Sequence, residues 1–284
     1  MTVIVFGRTG QVAAELARRL PDATFLGRDR ADLSDPASCA EAILAARPEA
    51  VINAAAFTAV DLAETDEAAA RIVNADAPGR MARAAARLGI PFLHISTDYV
   101  FDGRMGRAWR EDDPVTPLGA YGRTKLDGER QVAGAGGPHV VLRTAWVFAA
   151  HGRNFVRTML RLGAERPELR VVADQHGGPT PAADIAGALV TILGAFRDGR
   201  GTSGVFHYAG APATTWADFA EAILAGAGLS ARVTRIGTAD FPTPARRPAN
   251  SVLDCGRIAR TYGIAQPDWR DGLRKVLAEL EATR

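Results

Sequence analysis

Three side chains of this sequence could together deliver a proton to a carbonyl oxygen: Thr97, Tyr121 and Lys125. Tyr121 and Lys125 stand four residues apart in "AYGRTKLDGE", a spacing that puts both on one face of a helix. A free phenol titrates at about 10, and a neighbouring ammonium stabilises its phenolate and lowers that value. Tyr121 also falls near the expected helix start, where the backbone dipole favours negative charge. Thr97 sits in "STDYVF", directly after the apolar run "IPFLHI". A hydroxyl at the carboxyl end of a strand is placed where open α/β sheets bind ligands, so Thr97 can hold a substrate oxygen beside Tyr121. Hydroxyl, phenol and ammonium form a carbonyl-reducing set. Ser96 reads as a buried structural hydroxyl. Asp98 reads either as a substrate contact or as the cap of a turn.

Such a reduction needs a hydride donor, and the opening of the chain offers a place for one. "VIVFGRTGQVAAEL" sets Gly7 and Gly10 between a first strand and a first helix, with Ala13 as the third small residue. Glycines there let backbone N–H groups at a helix N-terminus approach a pyrophosphate, and Thr9, Gln11 and Val12 join them as cofactor-binding positions. A ribose-reading residue is expected about 20 positions further on. "FLGRDRADL" offers both signs: Arg28, helped by Arg8, suits a 2′-phosphate, and Asp29 suits a free 2′-hydroxyl. The choice points to NADPH, with NADH as the alternative. Asp32 and Leu33 follow where the chain could flank an adenine. Ala54, Ala55 and Ala56 in "NAAAFT" are small enough for a dinucleotide to lie across them.

These residues need a scaffold. "TVIVF", "ATFLG", "AVINA", "PFLHI" and "HVVLRT" are short β-branched or aromatic runs separated by Ala-, Leu- and Arg-rich helical stretches such as 66–88. That alternation predicts βαβ units, and the consecutive apolar residues predict strands covered on both faces. The expected fold is α/β: a Rossmann-type doubly wound parallel sheet over 1–147, with a smaller C-terminal substrate-binding lobe over 148–284 and some segments returning to the sheet. Helices are expected around 153–165, 183–196 and 215–227, between glycine and proline clusters at "DQHGGPTPAAD" and "FPTPARRPANS".

Composition sets the outer limits. The 284 residues are 47% hydrophobic and 23% charged, ordinary for a globular protein. Basic side chains outnumber acidic ones by 34 to 32, so no overall field argues for nucleic acid or an anionic membrane. Cys39 and Cys255 are far apart and lack metal-site spacing, which suggests a reducing cytoplasm. No apolar run approaches the roughly 18 residues that span a bilayer, and "MTVIVFG" lacks a signal-like lead. His94, His151, His176 and His207 have no paired spacing and read as packing or rim residues.

The glycine-rich turn, "VINAAAFTAVDLAE", "HISTDYVFDG", "LGAYGRTKLDGE", "LRTAWVFAAHGRNFVRTML", "DQHGGPTPAADIA" and "RPANSVLD" together resemble the dTDP-4-dehydrorhamnose reductases, a family of extended short-chain dehydrogenases/reductases, over nearly the whole chain. The resemblance implies the last step of dTDP-L-rhamnose synthesis: reduction of the C4 ketone of dTDP-4-dehydro-L-rhamnose by NADPH or NADH. It makes Tyr121 the proton donor and Thr97 the group that orients the carbonyl. Lys125 holds the nicotinamide ribose. It also implies that Trp146 packs against the sugar, that Asn154 and Phe155 begin a helix lining the sugar site, and that Arg247 meets the diphosphate with Arg246 as the second choice. Some members are dimers bridged by Mg2+. Glu15 and Asp184 stand at or near positions of such ligands, but Ala183 leaves the ligand set in doubt, so no metal site is assigned and the chain is expected to be a monomer or homodimer. Two rivals remain open: reduction or epimerisation of another nucleotide sugar, and a non-catalytic nucleotide-binding regulatory subunit. An intact Thr97, Tyr121 and Lys125 set argues against the second.

Overall fold

"VIVF" forms β1 (Val3–Phe6), and all four side chains are buried. Val3 and Val5 enter one hydrophobic cluster and Ile4 and Phe6 another, so this strand has a core on each face. Complete burial of such side chains is worth roughly 1.5–3 kcal/mol each. The computed structural model describes residues 1–282. After β1 the chain runs through α1 (Gln11–Arg19), β2 (Thr24–Leu26), α2 (Pro36–Ala46) and β3 (Ala50–Asn53). Two short helices, α3 (Val60–Ala63) and α4 (Glu67–Arg71), then continue through a π-helical turn at Ile72–Asp76 into α5 (Ala77–Leu88) and β4 (Phe92–Thr97). Finally α6 (Ala120–Ala133) leads to β5 (His139–Thr144).

The second half is divided between two places. One part forms β6 (Val147–Phe148), α7 (Phe155–Glu165), β7 (Glu168–Val172), β8 (His176–Gly177) and β9 (Thr180–Pro181). α8 (Ala182–Arg197) then packs beside α1, and β10 (Gly204–His207) joins β5 in parallel. The remaining elements are β11 (Thr214–Thr215), α9 (Trp216–Gly226), β12 (Arg232–Ile236), α10 (Gly256–Tyr262) and α11 (Trp269–Ala282). Phe148, Val156, Phe219, Ile223, Trp269 and Leu273 give α7, α9 and α11 a third core of their own.

The main sheet has six parallel strands in the order β10-β5-β4-β3-β1-β2. The direction of winding reverses at β1, whose neighbours are β2 and β3, and a crevice opens at such a switch point beyond the carboxyl ends of the strands. Gly7 lies there with φ +108°, a conformation that L side chains rarely adopt. A Cβ on Gly7 would come within 3.4 Å of the Ala54 and Ala55 backbone, so the turn after β1 and the end of β3 lie close together. No helix among the described residues is long and apolar enough to cross a membrane.

Candidate active site

Helix α6 carries Tyr121 and Lys125, and its packing explains their positions. A Cβ on Gly128 would meet the Asn74 carbonyl oxygen at 2.0 Å, so the bare glycine lets α6 lie against the π-helical turn. Asn74 in that turn donates 3.2 Å to Thr124 on α6 and pairs with both backbone groups of Phe57. This side chain therefore ties the stretch after β3 to the tyrosine helix. The N-terminus of α6 already has an anion: Glu64 Oε1 accepts from the Ala120 N–H at 2.7 Å.

Tyr121 is half-buried, and its ring meets Tyr99 edge-on with centroids 5.9 Å apart. Burial pushes its phenol up to about 12; hydrogen bonding with Thr97 opposes this, and the Asp98 charge reinforces it. The sequence-based expectation was the reverse, a phenol lowered by Lys125. Here burial dominates, and the Lys125 ammonium position is directed elsewhere. Nζ lies 2.7 Å from the Ile95 carbonyl oxygen and 3.2 Å from His94 Nε2. Lys125 is 1% exposed, and burial lowers it to about 8 against the opposing charge of Glu129.

β4 delivers three consecutive polar residues to different partners. Ser96 donates to Glu129, whose carboxylate also receives the Arg143 guanidinium, Nη2 to Oε2 at 2.6 Å and Nε to Oε1 at 3.0 Å. Thr97 Oγ1 donates 3.0 Å to Asp98 Oδ1 and accepts from the Tyr99 N–H at 3.1 Å. Asp98 is fully buried, and Oδ2 meets no hydrogen-bond partner of good geometry among the described residues. Burial pushes its carboxyl up to about 6, opposed by the hydroxyls of Ser251 and Thr97. An acid so placed has one oxygen engaged by Thr97 and one available.

On the cofactor side, α1 begins at Gly10 with no side-chain cap, leaving backbone N–H groups at its N-terminus for an anion. Thr9 lies in the turn before it, and Val12 is buried at its start. Arg28 is exposed, whereas Asp29 is 3.4 Å from Arg8 in an ion pair. Asp32 accepts from the Ser34 N–H at 2.9 Å, and Leu33 is buried beside α2. Ala54, Ala55 and Ala56 are half-buried across from Gly7.

On the opposite side, Trp146 has φ +46° and stacks on Trp216 with ring centroids 3.5 Å apart and planes within 7°. Phe155 adds a tilted ring against Trp216 at 4.6 Å. Asn154 caps α7, accepting from the Arg157 N–H at 3.1 Å, and donates to Gln11 Oε1 at 2.9 Å and Ala149 O at 2.8 Å. Its amide is fully engaged, so it links the α1 turn to the second lobe. Arg247 Nη2 pairs with Asp61 at 2.9 Å, and Arg246 lines a crevice with Val60, Tyr99, Tyr121 and Pro248. The arrangement sets a hydroxyl and a phenol at the carboxyl edge of the sheet and an aromatic stack of Trp146, Trp216 and Phe155 in the second half of the chain.

Residues 1–282 match the family model described as the RmlD substrate binding domain. The chain belongs to that family. A dTDP-4-dehydrorhamnose reductase from Burkholderia thailandensis is 48% identical, with 95% of this chain and 96% of the relative covered. A protein from Streptomyces antibioticus named "Probable dTDP-4,6-dihydroxy-2-methyloxan-3-one 4-ketoreductase" is 40% identical over 99% of this chain and 96% of its own. The solved dTDP-4-dehydrorhamnose reductase from Bacillus anthracis in complex with NADP superposes with a TM-score of 0.92 at 31% identity, covering 98% of this chain and 99% of that one.

Mg2+, associated with some of the RmlD family, finds no ready donor set here. Glu15 faces guanidinium groups, Arg18 at 3.2 Å and Arg19 at 3.7 Å, with His151 at 3.8 Å. Asp184 is pushed up by burial, with Lys275 and Arg19 opposing. No group of three or more His, Cys, Asp or Glu among the described residues could hold a metal. Within one chain these residues do not supply the several oxygen ligands that a hard cation needs.

Sequence reasoning did not single out Asn53, Asn74, Glu64 or Trp216, and it read His94 as a packing or rim residue; His94 is fully buried. Only the π-helical turn has a sequence-independent signature of function. The others become visible through contacts between segments distant in the chain.

Proposed function

We propose that this protein reduces the C4 ketone of dTDP-4-dehydro-L-rhamnose to dTDP-L-rhamnose, with NADPH as the preferred cofactor and NADH as an alternative. The observation that carries this reading is the placement of Thr97 at the carboxyl end of β4 and Tyr121 at the start of α6, with Lys125 one turn behind on the same helix. The Gly7 turn, the uncapped α1 start and the small residues of 54–56 fit a dinucleotide. A reduced nicotinamide bound there supplies the hydride to C4.

Tyr121 gives its proton to the C4 oxygen as the carbonyl becomes an alcohol. A phenol held protonated by burial suits that direction of reaction, because the donor must carry its proton when the substrate arrives. Thr97 turns its hydroxyl from Asp98 to the carbonyl and orients it, and Asp98 offers its second oxygen to a sugar hydroxyl. Lys125 holds the ribose and, when charged, helps Tyr121 recover from the phenolate form. Trp146, supported by Trp216, forms the apolar wall against the sugar ring. Arg247 and Arg246 lie at the rim where a diphosphate would pass.

The test is oxidation of NADPH by the purified protein with dTDP-4-dehydro-L-rhamnose, followed by identification of the sugar. Formation of dTDP-L-rhamnose supports the reading. The Streptomyces antibioticus relative favours one rival, a different dTDP-4-keto sugar, so the same assay is run with a panel of such ketones. Higher kcat/KM with another member of the panel would replace the substrate named here.

A further inference from the structure

Segment 241–247 borders the crevice beside Tyr121, with Ala245 and Arg246 in its lining. Its hydrogen bonds to the first half of the chain converge on one side chain. Asp61 Oδ1 accepts from the Ala245 N–H at 3.1 Å, and Oδ2 accepts from Arg247 Nη2 at 2.9 Å. Among the described residues, no other hydrogen bond joins 241–247 to that half. Arg247 Nη1 donates to the Ala245 carbonyl at 3.2 Å, so the guanidinium is held on two sides. Its planar fork has five N–H groups, and those not engaged by Asp61 and Ala245 are left for an anion.

Asp61 is itself fixed to the tyrosine helix. It lies on α3, and Glu64, directly after α3, accepts from the Ala120 N–H at the start of α6. Gly119 must be bare at this contact, because a Cβ there would come within 2.5 Å of Glu64 Oε1. Ala63, between the two acids, is fully buried in a cluster with Ala120, and Tyr121 packs against the same cluster. Burial and the Asp98 charge push the Tyr99 phenol up, Arg247 opposes them and Asp61 adds to them. Both ends of the Asp61–Arg247 pair thus lie within electrostatic reach of the ring that meets Tyr121 edge-on. One short turn sets the position of Arg247 relative to Tyr121.

We propose that Asp61 is a positioning residue for the nucleoside diphosphate: it holds the Arg247 guanidinium, and with it segment 241–247, in place before the ligand arrives. This rests on the reading of Arg247 as a diphosphate contact. An untethered arginine samples many rotamers and loses that freedom on binding, a cost that Asp61 removes in advance. The Asp61 carboxylate also repels an arriving anion, and the two effects have opposite signs. Asp61 is 43% exposed, so water and salt screen its charge, whereas Arg247 is 20% exposed and bonded on both sides. Positioning therefore outweighs repulsion.

The test is calorimetry of dTDP and of NADPH with the purified chain, which needs no turnover and is independent of the keto sugar assigned above. Arg247→Met should weaken dTDP about tenfold or more, the loss of a charge-assisted contact. Asp61→Asn keeps an acceptor for the Ala245 N–H but turns an NH2 towards the guanidinium. It should weaken dTDP about three- to tenfold and leave NADPH within about twofold. In the Arg247→Met background the same change should add less than about twofold, because its effect runs through that side chain. With a keto sugar that is turned over, the loss should appear in KM, with kcat within about twofold of the parent. Where Asp61→Asn does not fold, Asp61→Ser, uncharged and shorter, is measured in its place. Unchanged or tighter dTDP binding in the Asp61 variant, with Arg247→Met weakened, overturns this inference and leaves the Arg247 reading standing. Unchanged binding in Arg247→Met overturns both. Full additivity in the double variant, or an equal loss of NADPH, shows that Asp61 acts by another route and overturns the inference as well.

Discussion

Ser96 and Thr97 are neighbours on β4, and their hydroxyls go to different acids: Ser96 to Glu129 on α6, Thr97 to Asp98 in the following turn. Side chains alternate across a strand, so one residue step separates a structural network from the reacting edge of the sheet. The first network anchors α6 from below. The second leaves a hydroxyl and a carboxyl beside Tyr121.

Removing the Tyr121 hydroxyl isolates the chemical step. Tyr121→Phe should lower kcat by roughly 100- to 10,000-fold, the usual contribution of a positioned acid. Cofactor affinity, measured by fluorescence titration, should change less than about twofold, because the ring and its edge contact with Tyr99 remain. Turnover close to that of the parent would remove Tyr121 from the role of proton donor.

The Glu129–Arg143 pair is a stability element. Both side chains are 4% exposed and form a two-pronged ion pair. Arg143→Met leaves a buried carboxylate with only Ser96 beside it, and should cost about 3–5 kcal/mol. Urea unfolding measures this, and adding Glu129→Gln to the same chain should recover part of the loss. A midpoint unchanged by Arg143→Met would show that Glu129 finds another partner or takes up a proton without strain.

Arg28 tests the cofactor preference. The Arg8–Asp29 ion pair occupies the two neighbouring charges and leaves the exposed Arg28 guanidinium to meet a 2′-phosphate. A charge-assisted hydrogen bond is worth about 1.5–3 kcal/mol, so Arg28→Ala should weaken NADPH about tenfold or more. NADH binding should stay within about twofold, since NADH has no phosphate there. Equal losses for the two cofactors, by calorimetry, would assign the discrimination to another residue.

The strands and the doubly wound order were legible in the sequence because each depends on local information. "VIVF" and "AVIN" are apolar at every position, and Gly7 marks the turn between strand and helix. The Tyr121 and Lys125 spacing was legible for the same reason. What was not legible is the environment of those groups. The phenol rises because of burial, and Lys125 faces His94, 31 residues away in the chain. The aromatic partner of Trp146 is Trp216, which comes from another helix. Neither relation has a periodicity to read. That some segments of the second half return to the sheet was expected; that β10 does so, after α7, β7 and α8, depends on strand pairing between distant segments.

Asp98 should give the protein a pH-dependent stability with a defined sign. Its carboxyl, ordinarily near 3.8, is raised to about 6, so the folded chain holds a proton that the unfolded chain has released between those values. Stability therefore falls as pH rises through this window, and the burial of the charged carboxylate persists above it. A shift of about two units corresponds to roughly 3 kcal/mol at neutral pH, since each unit is worth about 1.4 kcal/mol. Asp98→Asn keeps the shape, accepts from Thr97 and carries no charge. It should raise the unfolding midpoint at pH 7.5, and the gain should shrink towards pH 4, where the parent carboxyl is protonated in the folded state. Equal gains at both pH values would mean that the stabilisation comes from the amide's hydrogen bonds and not from removing a buried charge. The same variant should lose activity at pH 7.5 if the free Oδ2 of the carboxylate holds a sugar hydroxyl, so stability and turnover are expected to move in opposite directions.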